Sequence, residues 1–149
     1  MINNQYFTII VNILKQRKED LIDYKFFCFN GEPIYCQVIS DRFSDEKIDF
    51  YGMKWNRVLG MLGLSNNAHS SCWNIPQPVS FEIMKDFAKI LSSGIPFSRI
   101  DFYEVNGHPY FDEITFYPAC GFGKFRHHEW GKILGDKIDL SKLNESQFD

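Results

Sequence analysis

Residues 99–124 read RIDFYEVNGHPYFDEITFYPACGFGK, and this stretch decides the fold of the chain. Residues 99–103 are an alternating run of β-branched and aromatic side chains, and residues 110–117 are a second such run. Between them, Asn106-Gly107 is a strong turn signal. The stretch therefore predicts an antiparallel hairpin, which Pro118 closes because proline does not suit a strand interior.

Charged side chains interrupt this apolar hairpin at four positions, Arg99, Asp101, Asp112 and Glu113. Carboxylates are hard oxygen ligands, and a pair of them suits an Mg²⁺ ion that bridges phosphate oxygens. An arginine beside them can hold the same phosphates. The residues alone leave two interpretations open. One is a solvated, charged outer face, since structural charge clusters are common, and the other is a metal and phosphate site.

The geometry of the turn decides whether the carboxylates can share a metal. With a plain two-residue turn, Asp101 faces Asp112, and Glu113 points to the opposite face. With a three-residue bulged loop, or an equivalent bulge elsewhere in the hairpin, Arg99, Asp101 and Glu113 share one face. We predict the bulged hairpin.

A second hairpin is predicted upstream, from residues 23–30 and 34–39 around a Gly-Glu-Pro turn. Lys25 lies on the first of these strands, which is otherwise largely apolar, and a lysine there is costly unless its ammonium reaches water or a partner. The residues leave open whether Lys25 extends to the surface or points into a cleft. Residues 49–55 then predict a strand or bend, and residues 57–72 an irregular surface loop.

A helix is predicted over residues 81–92, with Ser80 as its cap. Apolar residues recur through it at helical spacing and predict a face that packs on the core: Ile83, Phe87, Ile90, Met84, Ala88 and Leu91. A shorter closing helix is predicted over residues 126–134. Residues 5–14 suit a helix or a strand equally well, and residues 141–149 predict a frayed tail.

The composition predicts one domain over residues 1–149 with enough hydrophobic residues, 44%, to form a core. The net charge of −3 argues against a nucleic-acid partner. The four cysteines lack the spacing of a zinc site or a disulfide framework, and predict buried thiols in a cytoplasmic protein. No apolar run approaches the ~20 residues that span a bilayer.

The order Arg-x-Asp, turn, Glu-x-Thr resembles the metal-binding hairpin of ATP-grasp enzymes. Two longer stretches, DYKFFCFNGEP and SRIDFYEVNGHPYFDEITFYPACGFGKF, and a later EW are similar to the TupA-like ATP-grasp family of cell-surface polysaccharide clusters. The resemblance runs from about residue 21 to residue 140. It implies an α+β fold, with a mostly antiparallel sheet and a few helices, like the C-terminal lobe of an ATP-grasp enzyme.

The resemblance also implies a site for ATP and Mg²⁺. The implied metal ligands are Asp101, Glu113 and Thr115, where Thr115 stands in place of the asparagine that the family usually has. Arg99 is the implied catalytic residue, which binds phosphates or the acyl-phosphate intermediate. The implied cofactor-binding residues are Lys25, Arg42 and Lys54. Lys124 is a fourth candidate on the residues themselves, because the two glycines of residues 121–124 let a backbone approach a ligand closely and the lysine could neutralise it. For Arg42 the sequence offers the alternative of an ion pair with Asp41 or Asp45.

ATP-grasp enzymes activate a carboxylate as an acyl-phosphate, which an amine or a similar nucleophile attacks. TupA-like members are linked to teichuronopeptide or related surface polymers and are often labelled glycosyltransferases. The chain resembles roughly the C-terminal half of such a ligase, so the resemblance implies a partner chain or self-association and a small carboxylate or sugar-acid substrate. One alternative is a truncated, non-catalytic remnant or interaction module. Another is a glycosyltransferase, although the chain has no D-x-D motif.

Overall fold

The computed structural model describes residues 21–42, 44–64 and 69–142. Five antiparallel strands form one sheet in the order β3-β2-β1-β4-β5. The strands are β1 (Asp23–Phe29), β2 (Glu32–Ser40), β3 (Lys47–Gly52), β4 (Phe97–Val105) and β5 (His108–Thr115). The helices in this part of the chain are α1 (Phe81–Leu91) and α2 (Glu129–Gly135), with short 3-10 turns at Pro118–Gly121 and Leu140–Lys142.

This architecture confirms the predicted α+β class and both predicted hairpins. The predictions for residues 5–14, and for all but the first two residues of 141–149, fall outside the described residues. Of the helices that are described, none is long and apolar enough to cross a membrane.

The central strand β1 is buried along its whole length, as its apolar sequence predicts. Because side chains alternate along a strand, Phe26 and Cys28 join the core beneath α1, whereas Phe27 and Phe29 join a second core on the opposite face. The sheet therefore has an α1 face and an opposite face. Lys25 lies on the opposite face, in line with Phe27 and Phe29.

Helix α1 buries only part of its predicted apolar stripe. Phe81, Met84 and Ala88 are buried against the sheet, and the ring of Phe81 stacks on that of Phe26 at 5.8 Å. In contrast, four of the six apolar residues predicted to be core are exposed: Ile83, Phe87, Ile90 and Leu91. This part of the prediction is wrong, because the sheet covers one side of the helix and the stripe is wider than the area covered.

The predicted cap of α1 also differs from the structure. Ser80 precedes the helix, but its side chain makes no capping hydrogen bond. Its hydroxyl donates instead to Glu104 Oε2 at 2.6 Å, and its backbone N–H donates to the same oxygen at 2.7 Å. A carboxylate from β4 therefore holds the start of the helix against the sheet.

In the loop predicted over residues 57–72, the described residues 57–64 and 69–72 are irregular, and Arg57 and Ser71 are held to β3. Arg57 forms an ion pair with the buried Asp49, and the same guanidinium donates to the carbonyl oxygen of Ser71 at 2.6 Å. The Ser71 hydroxyl donates to Asp49 Oδ2 at 2.6 Å. These contacts hold Arg57 and Ser71, which lie near the two ends of the loop, to Asp49 of β3.

The cysteines divide into two pairs. Cys28 and Cys36 are buried as predicted, whereas Cys72 and Cys120 are exposed, so the prediction is wrong for half of them. Burial raises the pKa of Cys28 to about 12 and raises that of Cys36 as well. The two buried thiols are therefore inert core residues.

Candidate functional site

The turn of the β4–β5 hairpin contains two residues, so the predicted three-residue loop is wrong. Val105 pairs directly with His108. Asn106 and Gly107 both have positive φ, 54° and 76°. Two successive residues in the left-handed region are characteristic of the tight turn that matches the twist of a hairpin.

The bulge lies farther along the hairpin, which is the second form that the prediction allowed. Phe102 pairs with Phe111 and Ile100 with Ile114, with a register shift between them. One residue of β4, Asp101, is therefore opposite two residues of β5, Asp112 and Glu113. The extra residue brings Glu113 to the face that carries Asp101.

The predicted catalytic and metal-binding side chains form one hydrogen-bonded network there. Arg99 Nε and Nη2 donate to the two oxygens of Asp101 at 2.8 and 2.7 Å. Arg99 Nη2 also donates to Glu113 Oε1 at 2.8 Å and to Thr115 Oγ1 at 3.1 Å. Thr115 Oγ1 in turn donates to Glu113 Oε1 at 2.9 Å. The structure thus brings together Arg99, Asp101, Glu113 and Thr115, the four hairpin residues that the family resemblance implied.

Lys25 joins the network from β1, where it pairs directly with Asp101. Its ammonium lies 2.6 Å from Asp101 Oδ2, and the two side chains are 8% and 2% exposed. Lys25 therefore points into the site rather than to the surface. With Arg99 and Glu113, the group contains two cations and two carboxylates, so its formal charges balance.

This network lies in a polar cleft of about 930 Å³ on the face of the sheet opposite α1. The charged and amide side chains that line the cleft include Lys25, Gln37, Arg42, Arg99, Glu113 and Lys124. Arg42 pairs with Asp23 at 2.9 Å, rather than with Asp41 or Asp45 as the alternative for this residue supposed. Arg42 thus lies in the cleft, and its ion pair holds it to β1.

Lys54 is the one predicted cofactor-binding residue that the structure places elsewhere. It is exposed, in a turn after β3, and it does not line the cleft. Its neighbours Met53 and Trp55 pack against the core on the α1 face of the sheet. The other three predicted cations, Lys25, Arg42 and Lys124, line the cleft.

The wall that carries Lys124 is held by a contact that the sequence did not reveal. Leu64 N donates to the carbonyl oxygen of Lys124 at 2.9 Å, and Arg126 N donates to that of Leu62 at 2.8 Å. Gly63 lies between these bonds with a φ of 148°, and a Cβ there would lie 2.4 Å from the Lys124 carbonyl oxygen. Because glycine has no Cβ, Gly63 lets the backbone of this loop lie against the backbone at Lys124. The glycine itself is the only feature of the sequence that indicates this contact.

A single substitution tests the electrostatics of the bulge: Asp112→Asn is expected to raise stability near pH 7. Burial raises the pKa of Asp112 above 3.8, against the opposing effect of Lys25, and Glu113 raises it further. When the pKa of a carboxyl is higher in the folded state than in the unfolded state, ionisation of that carboxyl destabilises the folded protein. The cost is therefore present near pH 7 and absent below the pKa of the unfolded state.

Urea unfolding of both proteins near pH 7 and near pH 4.5 measures this difference. The advantage of Asp112→Asn is expected to shrink at the lower pH, where more of the wild-type carboxyl is protonated. An advantage of the same size at both values would mean that the substitution acts through packing rather than through ionisation.

The oxygen atoms of this network suit a Mg²⁺ ion only if substrate phosphates complete its coordination. In the described ranges, no three or more His, Cys, Asp or Glu side chains are arranged to hold a metal ion. Asp101, Glu113 and the Thr115 hydroxyl offer two carboxylates and one neutral oxygen on one face. Mg²⁺ is typically held by one or two carboxylates together with substrate phosphates and water, and the neighbouring cations would accept those phosphates.

Comparison with known protein families identifies a relationship over most of the chain. A family model described as TupA-like ATPgrasp matches residues 8–139 of the chain. No match is found among curated proteins or among solved structures. The family match confirms the resemblance that was read from the hairpin and from the strand that carries Lys25.

Proposed function

Since the chain belongs to the TupA-like ATP-grasp family, we propose that it provides one wall of an ATP-grasp-type ligase of the cytoplasm. The reaction would be the ATP- and Mg²⁺-dependent activation of a carboxylate in cell-surface polysaccharide biosynthesis. The observation that carries this proposal is the convergence of Arg99, Asp101, Glu113 and Lys25 on one face of a polar cleft. A partner chain, or a second copy, would provide the opposite wall.

Each side chain of the network has a role that its contacts support. Asp101 and Glu113 would hold the metal, which would neutralise phosphate charge. Arg99 presents a planar set of donors suited to phosphate oxygens, and its bonds to both Asp101 oxygens fix the orientation of that plane. Lys25 and Lys124 line the cleft as additional cations for the same phosphates.

One observation favours the alternative of a folded but non-catalytic remnant. Asp101 already accepts hydrogen bonds from Lys25 and from two nitrogens of Arg99. A carboxylate with this many charged donors is satisfied without a metal. To bind Mg²⁺, it would have to share or release one of these partners.

Calorimetric titration with Mg²⁺-ATP distinguishes these alternatives. The isolated chain is expected to bind near a millimolar Kd, or about −4 kcal/mol, because one side of the nucleotide stays open to water. Lys124→Met is expected to weaken binding about tenfold, since it removes one charged partner of the phosphates. Lys54→Met is the matched control, because it removes a lysine outside the cleft and is expected to change nothing.

The outcomes of this titration separate the proposals. Heat that saturates near the millimolar range and responds to Lys124 but not to Lys54 supports the nucleotide site. No binding at about 10 mM Mg²⁺-ATP would overturn it and leave the remnant. A micromolar Kd would contradict the expectation of an open cleft that needs a partner.

A further inference from the structure

A second, apolar pocket of about 380 Å³ adjoins the charged cleft. Among the described residues, all those that line it are apolar or glycine, and they include Phe27, Phe29, Phe97, Phe125, Leu134 and Ile138. The ring of Phe97 lies 6.1 Å from that of Phe27 and 5.2 Å from that of Phe29. These three rings form an aromatic floor on the same face of the sheet as the charged network.

The pocket begins where the charged cleft ends. Phe27 of the pocket pairs directly with Arg99 of the cleft across the β1–β4 ladder. Lys124 and Phe125 follow one another along the opposite wall, the first in the cleft and the second in the pocket, and Leu64 lines both. One molecule could therefore place an anionic group at Arg99 and an apolar group on the aromatic floor.

The lining of the pocket restricts the chemistry of that molecule. Its volume lies within the ~300–1,000 Å³ that is usual for small-molecule sites. The ring hydroxyls of a sugar acid would find no polar side chains there, and unpaired polar groups are costly to bury. An apolar group loses nothing by entering and gains the free energy of leaving water.

We propose that this pocket holds the apolar part of the carboxylate substrate, which is a carboxylic acid with a compact aromatic or branched aliphatic group. Its carboxylate lies at Arg99, next to the phosphates. The proposal rests on the proposed function and narrows its substrate class, since it favours an apolar acid over a sugar acid.

Binding of simple probes to the full chain without nucleotide tests this substrate class. By ligand-observed NMR titration, 3-phenylpropanoate is expected to bind at least about tenfold more tightly than glucuronate. The neutral 3-phenylpropanol has the same apolar group without the carboxylate. It is expected to bind more weakly than 3-phenylpropanoate, because it cannot form a charged hydrogen bond with Arg99.

Two glycines of α2 allow the pocket to be filled without removing a native contact. Gly131 and Gly135 line it, and a Cβ at either would meet nothing within 4 Å. Gly131→Leu and Gly135→Leu are therefore expected to fold and to weaken 3-phenylpropanoate binding about tenfold or more. Lys132→Leu adds the same side chain to the same helix at a residue that lines neither cavity, and it is expected to leave binding unchanged.

The results separate this inference from the proposed function. Glucuronate binding as tight as that of 3-phenylpropanoate would overturn the inference. So would undiminished 3-phenylpropanoate binding to both leucine variants, or equally tight binding of the neutral alcohol. Failure of Mg²⁺-ATP to bind in the separate titration would overturn the nucleotide site alone, since loss of 3-phenylpropanoate binding in the leucine variants would still support the pocket.

Discussion

Asp101→Ala is expected to lower the free energy of unfolding by about 3–5 kcal/mol, because it removes the carboxylate that two buried cations share. Lys25 and Arg99 both bond to this carboxylate, at distances of 2.6 to 2.8 Å. Arg99 retains Glu113 after the substitution. Lys25, with only 8% of its side chain exposed, would be left as a buried ammonium without this ionic partner, and an unpaired buried charge is costly.

Urea unfolding followed by tryptophan fluorescence measures this loss, and two controls assign its cause. Asp45→Ala removes an exposed carboxylate that pairs with Lys47, and it is expected to cost far less than Asp101→Ala, because water screens an exposed ion pair. The double substitution Lys25→Met with Asp101→Leu removes both charges and should recover a large part of the loss. A cost below about 1 kcal/mol for Asp101→Ala would contradict a buried, interdependent network.

Gly63→Ala is expected to separate the loop that precedes residue 65 from the wall that carries Lys124. An added Cβ would lie 2.4 Å from the Lys124 carbonyl oxygen and 2.5 Å from Phe125 Cα. Backbone cannot move aside as a flexible side chain can, so the two backbone hydrogen bonds beside Gly63 would break. The expected loss is about 2–4 kcal/mol of stability.

Gly60→Ala is the matched control for this substitution. Gly60 also has a positive φ, 79°, but a Cβ there would meet nothing within 4 Å. It is expected to cost only the ~1–2 kcal/mol of a left-handed alanine. Urea unfolding of both variants isolates the steric clash. Equal losses at the two positions would show that backbone conformation alone is responsible and that the close approach at Gly63 does not matter.

The local signals of the sequence predicted the hairpins and the helix well. Asn106-Gly107 fixed the position of a turn, and the alternation on either side fixed the strands, because both are properties of a few consecutive residues. The family resemblance then selected Arg99, Asp101 and Glu113 as a group. The contact of Lys25 with Asp101 joins residues 76 positions apart, and strand pairing at that separation leaves no local pattern.

Two other features depended on neighbours that a sequence pattern does not identify. The spacing of Ile83, Phe87 and Ile90 shows that they share a side of α1, but not whether another element covers that side. The location of the bulge could not be predicted from the sequence either. The chemistry of a shared metal site required a bulge somewhere in the hairpin, whereas only the three-dimensional ladder places it opposite Asp101.

The bulge also affects how the sheet meets other copies of the chain. In the described sheet β5 lies at an edge, and a flat edge strand is a template on which another chain can add a strand. The extra residue at Asp112 and Glu113 interrupts the regular ladder, and Pro109 has no N–H to offer. The carboxylates of Asp112 and Glu113 would also repel the β5 strand of a second copy of the chain. The feature that assembles the site therefore protects this edge from strand-by-strand aggregation.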